Sequence, residues 1–421
     1  MNTTPRSNRY HIAIVGRRNV GKSSLINAIA NQDISLVSST PGTTTDPVYK
    51  AMELQPFGPV VLIDTAGIDD TGALGKERTK RSYAVLDKAD LVVLVTEASD
   101  HDPPEPVIDD DEKRVIELAR DRKLPLLVAV NKLDSPESRK ALVKTSQTLS
   151  ASLDKNTTVC AVSAKNRGGV DELIEAIKAV AEQASQNRSE VSIIGDLIEP
   201  GDTVILVCPI DEEAPKSRLI LPQVQTIRDT LDHDALALVV QPARLRDALN
   251  NLKSPPALVV TDSQVFSEVA KVVPDEVPLT SFSILFARHR GDLDQLKAGI
   301  KAVDSLKPGD KVLIAEACTH HPIAEDIARV KIPRWLQQRV GNLQFDFCSG
   351  GGFPDDLSSY ALIIHCGGCM VNRRQMLNRL RVARSAGVPI TNYGLLISHI
   401  KGILPRAIQV FDLHEQQRAT C

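Results

Sequence analysis

Short apolar runs alternate with amphipathic stretches along the whole chain, a pattern typical of α/β architecture with parallel strands. In the first part of the chain the predicted strands are HIAIVG, PVVLIDTAG, DLVVLVTEA, PLLVAVNKLD and TVCAVSAK. Each of these strands is followed by helix-like sequence, such as KSSLINAIAN and DELIEAIKAVAEQ. The acidic run DDDE, Asp109 to Glu112, fits the first turn of a helix, where carboxylates favour the helix dipole. The pattern predicts one domain with a parallel sheet over residues 1–182.

A polar stretch, QASQNRSEVS, separates this domain from the rest of the chain and is interpreted as a linker. After it, the runs TVILVCPI, ALALVVQP and PALVVTDS alternate with helix-like QVQTIRDTLD, RLRDALNNL and SEVAKVV. This alternation predicts a small α/β domain over residues 190–265. Residues 266–421 contain the strand candidates KVLIAEAC and YALIIHC, separated by helix-like and glycine-rich sequence, and are predicted to form a third α/β domain.

Composition narrows the classes of protein that this chain can represent. Its 421 residues suffice for about three domains, and its hydrophobic content of 42% is ample for packed cores. The net charge of -3 and the lack of a Lys/Arg cluster argue against a nucleic-acid partner. No apolar stretch approaches the ~18 residues needed to cross a bilayer, and MNTTPRSNRY contains no signal-peptide core. We therefore expect a cytoplasmic protein without a membrane partner, whose seven cysteines are reduced thiols or metal ligands.

The segment GRRNVGKSS fits the phosphate-binding pattern G-x-x-x-x-G-K-S/T between a strand and a helix. Its glycines let backbone N–H groups wrap the phosphates, Lys22 offers a positive charge to the β- and γ-phosphates, and the Ser23 hydroxyl can ligate Mg²⁺. DTAG, at the end of a later strand, adds the Asp64 carboxylate on the magnesium side and the Gly67 N–H for the γ-phosphate. The predicted phosphate-binding residues are Gly16, Asn19, Val20, Gly21, Lys22, Ser23, Ser24, Asp64 and Gly67.

Two later motifs, NKLD and SAK, predict which base is bound. The ionised Asp134 carboxylate only accepts hydrogen bonds, so it can take the N1–H and the 2-amino hydrogens of guanine, a donor pair that adenine lacks. Lys132 can lay its aliphatic stem along the ring, and the Ala164 N–H can meet the guanine carbonyl. The predicted nucleotide is therefore GTP, and the predicted base-binding residues are Asn131, Lys132, Asp134, Ser163, Ala164 and Lys165.

These motifs, in this order, resemble those of the translation-factor-like small GTPases. The resemblance places TPGTTTDP at the first switch and makes Thr44 the residue that senses Mg²⁺ and the γ-phosphate. Ile68 follows DTAG where many signalling GTPases have a water-orienting glutamine, so slow intrinsic hydrolysis is expected. Asn19 resembles the asparagine of potassium-activated members, which helps to hold K⁺ against the phosphates; alternatively, Asn19 only shapes the loop. The catalytic candidates are thus Lys22, Thr44 and Asn19.

Thiols follow two of the predicted strands in the last part of the chain. Cys318 ends KVLIAEAC, and Cys366 and Cys369 follow YALIIH. Because ligand sites form beyond the carboxyl ends of parallel strands, these thiols are expected to converge on one crevice. Thiolates suit zinc and iron–sulfur clusters alike, and a structural zinc site that adds Cys348 is the main alternative. Structural zinc usually uses a second tight pair of ligands. Here the remaining thiols are isolated in the sequence, which favours an iron–sulfur cluster over zinc.

Cys318-x-His320, followed by His365-Cys366-x-x-Cys369, resembles the iron–sulfur motif of the [FeFe]-hydrogenase maturation GTPases, and VPITNYG is also similar to that family. The resemblance covers essentially the whole chain. It implies a GTPase domain, a dimerisation domain and a cluster domain, with a [4Fe-4S] cluster on Cys318, Cys366 and Cys369. It further implies a scaffold or carrier that assembles or holds a diiron subcluster precursor. The implied partners are apo-[FeFe]-hydrogenase, two radical-SAM maturases and a second copy of the chain in a homodimer.

The fourth cluster ligand stays open among several groups near the motif. His320, His321, His365, Glu325 and solvent are candidates for an exchangeable ligand or for hydrogen bonding to the cluster. Cys348 is set aside because FCSGGGF looks like a mobile loop rather than a strand end. The alternative function is a ribosome-assembly or tRNA-modification GTPase with a C-terminal zinc module. Such a protein is expected to have a basic RNA-binding surface or a KH-type G-x-x-G unit, and neither follows residue 190.

Overall fold

A computed structural model describes most of the chain in ten segments. They cover residues 4–30, 47–69, 72–98, 108–146, 157–186, 192–210, 219–317, 326–350, 352–354 and 356–420. The chain divides into two compact units, residues 1–189 and 190–421. None of the helices in these segments combines the length and the apolar character that a membrane span requires.

The first unit is built on a six-stranded sheet with the order β2-β3-β1-β4-β5-β6. Its strands β1 to β6 are Tyr10–Val15, Val48–Leu54, Gly58–Asp64, Leu91–Glu97, Leu126–Asn131 and Thr158–Ala161. All neighbouring strands run parallel except β2, which pairs with β3 in the antiparallel direction. The predicted fold class is confirmed, and each of the five predicted strands is present. The antiparallel strand β2 was not predicted.

Helices cover both faces of this sheet. The helices α1 to α5 are Lys22–Ala30, Gly72–Val85, Asp110–Asp121, Pro136–Ser146 and Val170–Gln186. Alternate residues of β1 point to opposite faces, so that Ile12 and Ile14 belong to one hydrophobic core and Ala13 and Val15 to the other. The run DDDE does begin helix α3, with Asp109 as its N-cap, as predicted.

The second unit contains two four-stranded sheets in which all neighbouring strands are parallel. The first, of order β10-β9-β7-β8, has β7 to β10 at Thr203–Val207, Leu236–Val240, Leu258–Thr261 and Leu279–Ser281. The second, of order β12-β11-β13-β14, has β11 to β14 at Lys311–Ala315, Gln344–Cys348, Leu362–His365 and Ile390–Asn392. The domain boundary expected at residue 265 therefore falls between two strands of one sheet.

Both sheets of the second unit share one hydrophobic core, to which the surrounding helices contribute. The helices α6 to α14 are Leu221–Asp232, Leu245–Asn251, Phe266–Val269, Phe282–Arg290, Leu293–Val303, Ile332–Val340, Arg373–Ser385, Tyr393–Ile400 and Leu404–Thr420. Since β11, β12 and β13 run parallel, their carboxyl ends lie at the same edge of the second sheet. We call this edge, with Cys348, Cys366 and Cys369, the thiol edge.

Candidate functional site

The phosphate-binding loop connects β1 to α1 in the first unit. Lys22 is buried, and its Nζ donates hydrogen bonds to the carbonyl oxygens of Gly16 (2.9 Å) and Arg17 (2.6 Å). Gly21 has a φ of 91°, and a Cβ there would lie 2.3 Å from Asn131 Nδ2, so that only glycine fits this position. The loop is exposed at Asn19, whose φ of 59° is a left-handed conformation that asparagine tolerates.

Ser23 and Asp64, the predicted magnesium ligands, lie side by side. The Ser23 hydroxyl donates to Asp64 Oδ2 at 2.6 Å, while Asp64 Oδ1 is buried and accepts no hydrogen bond from the described residues. Burial raises the pKa of Asp64, although Ser23 and the charge of Lys22 oppose this effect. A buried carboxylate oxygen beside a hydroxyl is a donor set that suits a hard cation such as Mg²⁺. Thr44, the other predicted ligand, lies outside the described residues.

The segment after DTAG contacts the phosphate-binding loop directly. Gly67 is buried so close to this loop that a Cβ would lie 2.3 Å from Arg18 Cγ. Asp69 Oδ1 accepts a hydrogen bond from the Arg18 backbone N–H at 2.7 Å, a contact that the sequence did not reveal. Ile68 is buried in the core, and its backbone N–H donates to the Gly16 carbonyl oxygen of the phosphate-binding loop at 3.3 Å.

Glu112 is a further contact of this loop that sequence reasoning missed. It closes a capping box with Asp109, yet its side chain is fully buried and accepts a hydrogen bond from Arg17 Nε at 3.2 Å. Burial raises the pKa of Glu112, and the Arg17 charge opposes this shift. The acidic start of α3 therefore both caps a helix and anchors the phosphate-binding loop.

Asn131 joins the phosphate-binding loop to the loop that contains SAK. Its Nδ2 donates to the Val20 carbonyl oxygen at 2.8 Å, and its Oδ1 accepts from the Ala164 N–H at 2.9 Å. The Ala164 N–H, expected to meet the guanine carbonyl, is thus engaged by Asn131 in this structure. Because Asn131 is almost fully buried, it holds these two loops in a fixed relation.

Asp134 and Lys132, the other residues of NKLD predicted to contact guanine, lie at the surface of the first unit. Ser163 donates its hydroxyl hydrogen to Asp134 Oδ1 at 2.6 Å, and Lys165 Nζ lies 3.9 Å from Asp134 Oδ2. Lys132 pairs with Glu97. The structure therefore brings NKLD and SAK together, and Ser163 orients the carboxylate that is predicted to select guanine.

The thiol edge of the second unit brings together the ends of three strands. Cys366 follows β13, and its Sγ accepts a hydrogen bond from the Ala317 N–H at 3.1 Å, just after β11. Ala317 is the last described residue before Cys318 in the sequence. Cys318, His320, His321 and Glu325 all lie outside the described residues. Within the described ranges, no group of three or more His, Cys, Asp or Glu side chains is arranged to hold a metal ion.

Cys348 does not lie in a mobile loop, as its sequence suggested, but is the last residue of β12. It pairs in register with Ala315 of β11, and its carbonyl oxygen accepts the Glu316 N–H at 2.8 Å. The prediction was wrong because the glycines that follow Cys348 obscured a short strand whose polar and apolar residues alternate. Cys348 therefore belongs to the thiol edge.

His365 is fully buried, and both of its ring nitrogens are engaged. Nδ1 lies 2.7 Å from the Cys366 carbonyl oxygen, which only accepts, so Nδ1 carries the proton and Nε2 accepts from Arg379 Nη1 at 2.7 Å. Burial, and then the charge of Arg379, lower the pKa of His365 to about 3, so the ring is neutral. This arrangement argues against His365 as a fourth metal ligand.

Cys369 follows Cys366 by one short glycine turn, in which Gly368 has a φ of 69°. Burial raises the pKa of Cys369, and the positive charge of Arg290 opposes the shift. Cys160 and Cys208, by contrast, are buried in the cores, as predicted for small apolar residues. Burial raises their pKa to about 11 and about 12, respectively, so both remain protonated thiols.

Three family models match consecutive parts of the chain. Residues 11–132 match a model described as a 50S ribosome-binding GTPase. Residues 193–291 match the hydrogen maturase F dimerization domain, and residues 294–410 match the hydrogen maturase F tetramerization domain.

Other GTPases are among the curated relatives and the solved structures that this chain resembles. GTPase Der of Latilactobacillus sakei is 34% identical over 233 residues, which are 54% of this chain and 49% of that protein. The tRNA modification GTPase MnmE of Moorella thermoacetica is 37% identical over 175 residues, 40% of this chain and 34% of that protein. The chain thus spans half or less of these relatives. A structure of Aquifex aeolicus Era bound to GDP.AlF4- is 18% identical, covers 57% of this chain and 97% of that chain, and has a TM-score of 0.36.

The family matches beyond the GTPase part show to which family of GTPases the chain belongs. Two consecutive domains described for hydrogen maturase F occupy the region after the GTPase match, where both four-stranded sheets and the thiol edge lie. The chain therefore belongs to the hydrogen maturase F family of GTPases.

Proposed function

We propose that this protein is a GTP-hydrolysing scaffold or carrier in hydrogenase maturation. In this proposal Cys318, Cys366 and Cys369 bind a [4Fe-4S] cluster, beside which a diiron subcluster precursor is assembled or held before delivery to apo-[FeFe]-hydrogenase. Two radical-SAM maturases are the further partners. The observation that carries the proposal is the position of Cys366 and Cys369 at the thiol edge of a hydrogen maturase F chain.

The residues of the thiol edge fit an iron–sulfur cluster in their chemistry. Thiolates are the usual ligands of such clusters. Hydrogen bonds to sulfur, like that from the Ala317 N–H to Cys366 Sγ, tune the reduction potential of the cluster. When bound, the cluster would supply the iron to which the precursor attaches. The family motif adds Cys318 to this set. In the sequence, Cys318 directly follows Ala317.

The first unit supplies the GTP site in this proposal. Ser23 and Asp64 would hold Mg²⁺, which neutralises charge on the phosphates, while Lys22 turns from the loop carbonyls to the β- and γ-phosphates. Asp134, oriented by Ser163, would select guanine. Asn131 keeps the phosphate and base contacts in register, since it bonds to both loops.

The second unit is proposed to mediate self-association in the cytoplasm. The family models that match this unit are named as dimerization and tetramerization domains. We therefore propose a dimer through residues 193–291 and a larger assembly through residues 294–410. Leu236 and Val239 on β8, at the end of the strand order, expose 61% and 41% of their surface, and Leu231 on α6 exposes 58%. Exposed apolar side chains on an edge strand are typical of an association surface.

Anaerobic reconstitution with iron and sulfide tests the cluster proposal. We expect the protein to bind iron and sulfide in equal amounts and to show the EPR signal of a reduced [4Fe-4S] cluster after treatment with dithionite. Cys160→Ala, a core cysteine of the other unit, is the matched control and should keep the signal. Zinc retained in place of iron, with no EPR signal, would favour the alternative, a GTPase of ribosome assembly or tRNA modification with a zinc module.

Potassium activation is a separate proposal, based on Asn19 and on the buried Ile68. We expect the GTPase rate in KCl to exceed that in NaCl at equal ionic strength by roughly tenfold or more, because a cation at the phosphates stabilises transition-state charge. Asn19→Ala should remove most of this difference, whereas Asn27→Ala on α1 should keep it. Equal rates in both salts would contradict potassium activation. Asn19 would then only shape the loop, consistent with its left-handed backbone conformation.

A further inference from the structure

Two arginines, Arg290 and Arg379, lie buried behind the thiol edge with 3% of their surface exposed. Guanidinium groups are rarely buried, because removing the charge from water is unfavourable unless nearby groups compensate it. The inference drawn from these two residues rests on the cluster-binding function proposed above.

Arg379, on α12, connects the loops that follow β12 and β13. Its Nη1 donates to His365 Nε2 at 2.7 Å, and His365 in turn donates to the Cys366 carbonyl oxygen. Its Nη2 donates to the Gly350 carbonyl oxygen, two residues after Cys348, and its guanidinium lies 5.2 Å from the centroid of the Phe353 ring. Arg379 therefore fixes both loops from one buried point.

Among the residues that the structure describes, no carboxylate forms an ion pair with Arg379. Burial lowers the pKa of Arg379, and negative charge on the Cys366 and Cys348 sulfurs opposes this shift. A buried cation near thiols, without a carboxylate ion pair in the described part of the chain, is arranged for negative charge at the thiols themselves.

Arg290 plays the same part beside Cys369, but it comes from a different region of the chain. It ends α9, within the matched dimerization domain, and its Nη1 donates to the Val371 carbonyl oxygen at 2.5 Å, two residues after Cys369. Its Nη2 donates to Gln225 Oε1 on α6 at 3.3 Å. Burial lowers the pKa of Arg290 to about 10, against the charge of Cys369, and the group stays positive at neutral pH.

We propose that Arg379 and Arg290 are fixed counter-charges for the thiolate-bound cluster, positioning residues that hold the thiol-bearing loops and raise the reduction potential of the cluster. One-electron reduction adds one negative charge to the cluster, without a bond change or a proton. A buried cation stabilises the reduced form more than the oxidised form, because the attraction grows with the negative charge. Arg290 also lets the dimerization domain support the loop that contains Cys369.

Arg379→Gln and Arg379→Lys separate the charge from the hydrogen bonds. Glutamine can still donate hydrogen bonds through its amide N–H₂ but has no charge, whereas lysine keeps the charge. In an EPR-monitored titration with dithionite, we expect Arg379→Gln to reduce the one-electron equilibrium constant by roughly tenfold, equal to a potential about 59 mV lower. Arg379→Lys should retain most of the wild-type potential. Arg381→Gln is the matched control, since Arg381 is exposed on the same helix and bonds only to Asn378 in the described residues.

A potential of Arg379→Gln equal to that of Arg381→Gln would overturn the proposal. If Arg379→Gln lacks the wild-type circular dichroism spectrum, the reduction potentials of Arg290→Gln and Arg290→Lys are compared instead. Equal potentials in these two variants would also overturn the proposal. The two levels of inference fail differently: a wild-type protein without iron and sulfide contradicts the proposed function, whereas a bound cluster with unchanged potentials contradicts only the role of the arginines.

Discussion

Replacing Asp134 by Asn should weaken GTP binding by roughly 100-fold or more and make xanthosine triphosphate the preferred nucleotide. The carboxylate accepts both donors of the guanine edge, and an amide would place its own N–H₂ group against one of them. Xanthine has a carbonyl where guanine has its amino group, so the same amide N–H₂ becomes a matching donor. Competition between GTP and xanthosine triphosphate for the protein, followed by fluorescence of a labelled nucleotide, measures the change.

The structure predicts that this substitution leaves the loop intact. The Ser163 hydroxyl donates to Asp134 Oδ1, and an asparagine Oδ1 accepts the same hydrogen bond. Asp171→Asn, an exposed carboxylate at the start of α5, is the control for charge loss alone and should keep GTP selectivity. Unchanged selectivity in Asp134→Asn would show that the base is read by other groups.

Most of the strands predicted in the first unit are buried on both faces. β1 and β3 to β5 are continuous apolar runs because helices cover both sides of a parallel sheet, and such runs are recognisable without a structure. β2 and β12 escaped recognition because polar and apolar positions alternate along them and several of their side chains remain exposed. The error in the placement of Cys348 has this same cause.

The parts of the site that could be predicted are those with fixed spacing along the chain. The phosphate-binding loop, NKLD, SAK and the Cys366-x-x-Cys369 pair are local motifs, so their chemistry can be recognised from residue order. Arg379 could not be recognised in this way, because it stands in the arginine-rich helix RRQMLNRLRVARS, where charged residues normally face solvent. Its burial depends on contacts with His365 and Gly350, which lie outside its own helix. Glu112 is a similar case, since its contact with Arg17 depends on tertiary packing.

Substitution of Cys366 or Cys369 by Ala should abolish the cluster, with loss of the EPR signal and of nearly all bound iron after anaerobic reconstitution. A cubane cluster held by three thiolates loses a third of its protein ligands with either change. We expect the same result for Cys318→Ala from the family motif. GTP binding should persist in each variant, because the motifs that bind it lie in the first unit. Retained GTP binding distinguishes cluster loss from unfolding of the whole chain.

Cys348→Ala decides whether the cluster has an exchangeable position. Cys348 on β12 and His365 on β13 pair with the same residue, Ala315, from opposite sides of β11. The backbones of Cys348 and His365 are therefore about 9–10 Å apart by the usual strand spacing. Since only Cys318, Cys366 and Cys369 fit the family motif, we expect Cys348→Ala to keep the EPR signal. Added imidazole or cyanide should perturb that signal, because the fourth iron would bind an exchangeable non-cysteine group. His365 is not expected to be this group, since its Nε2 is engaged by Arg379. Loss of the signal in Cys348→Ala would mean four-thiolate ligation, and the carrier mechanism would lose the open iron site that it requires.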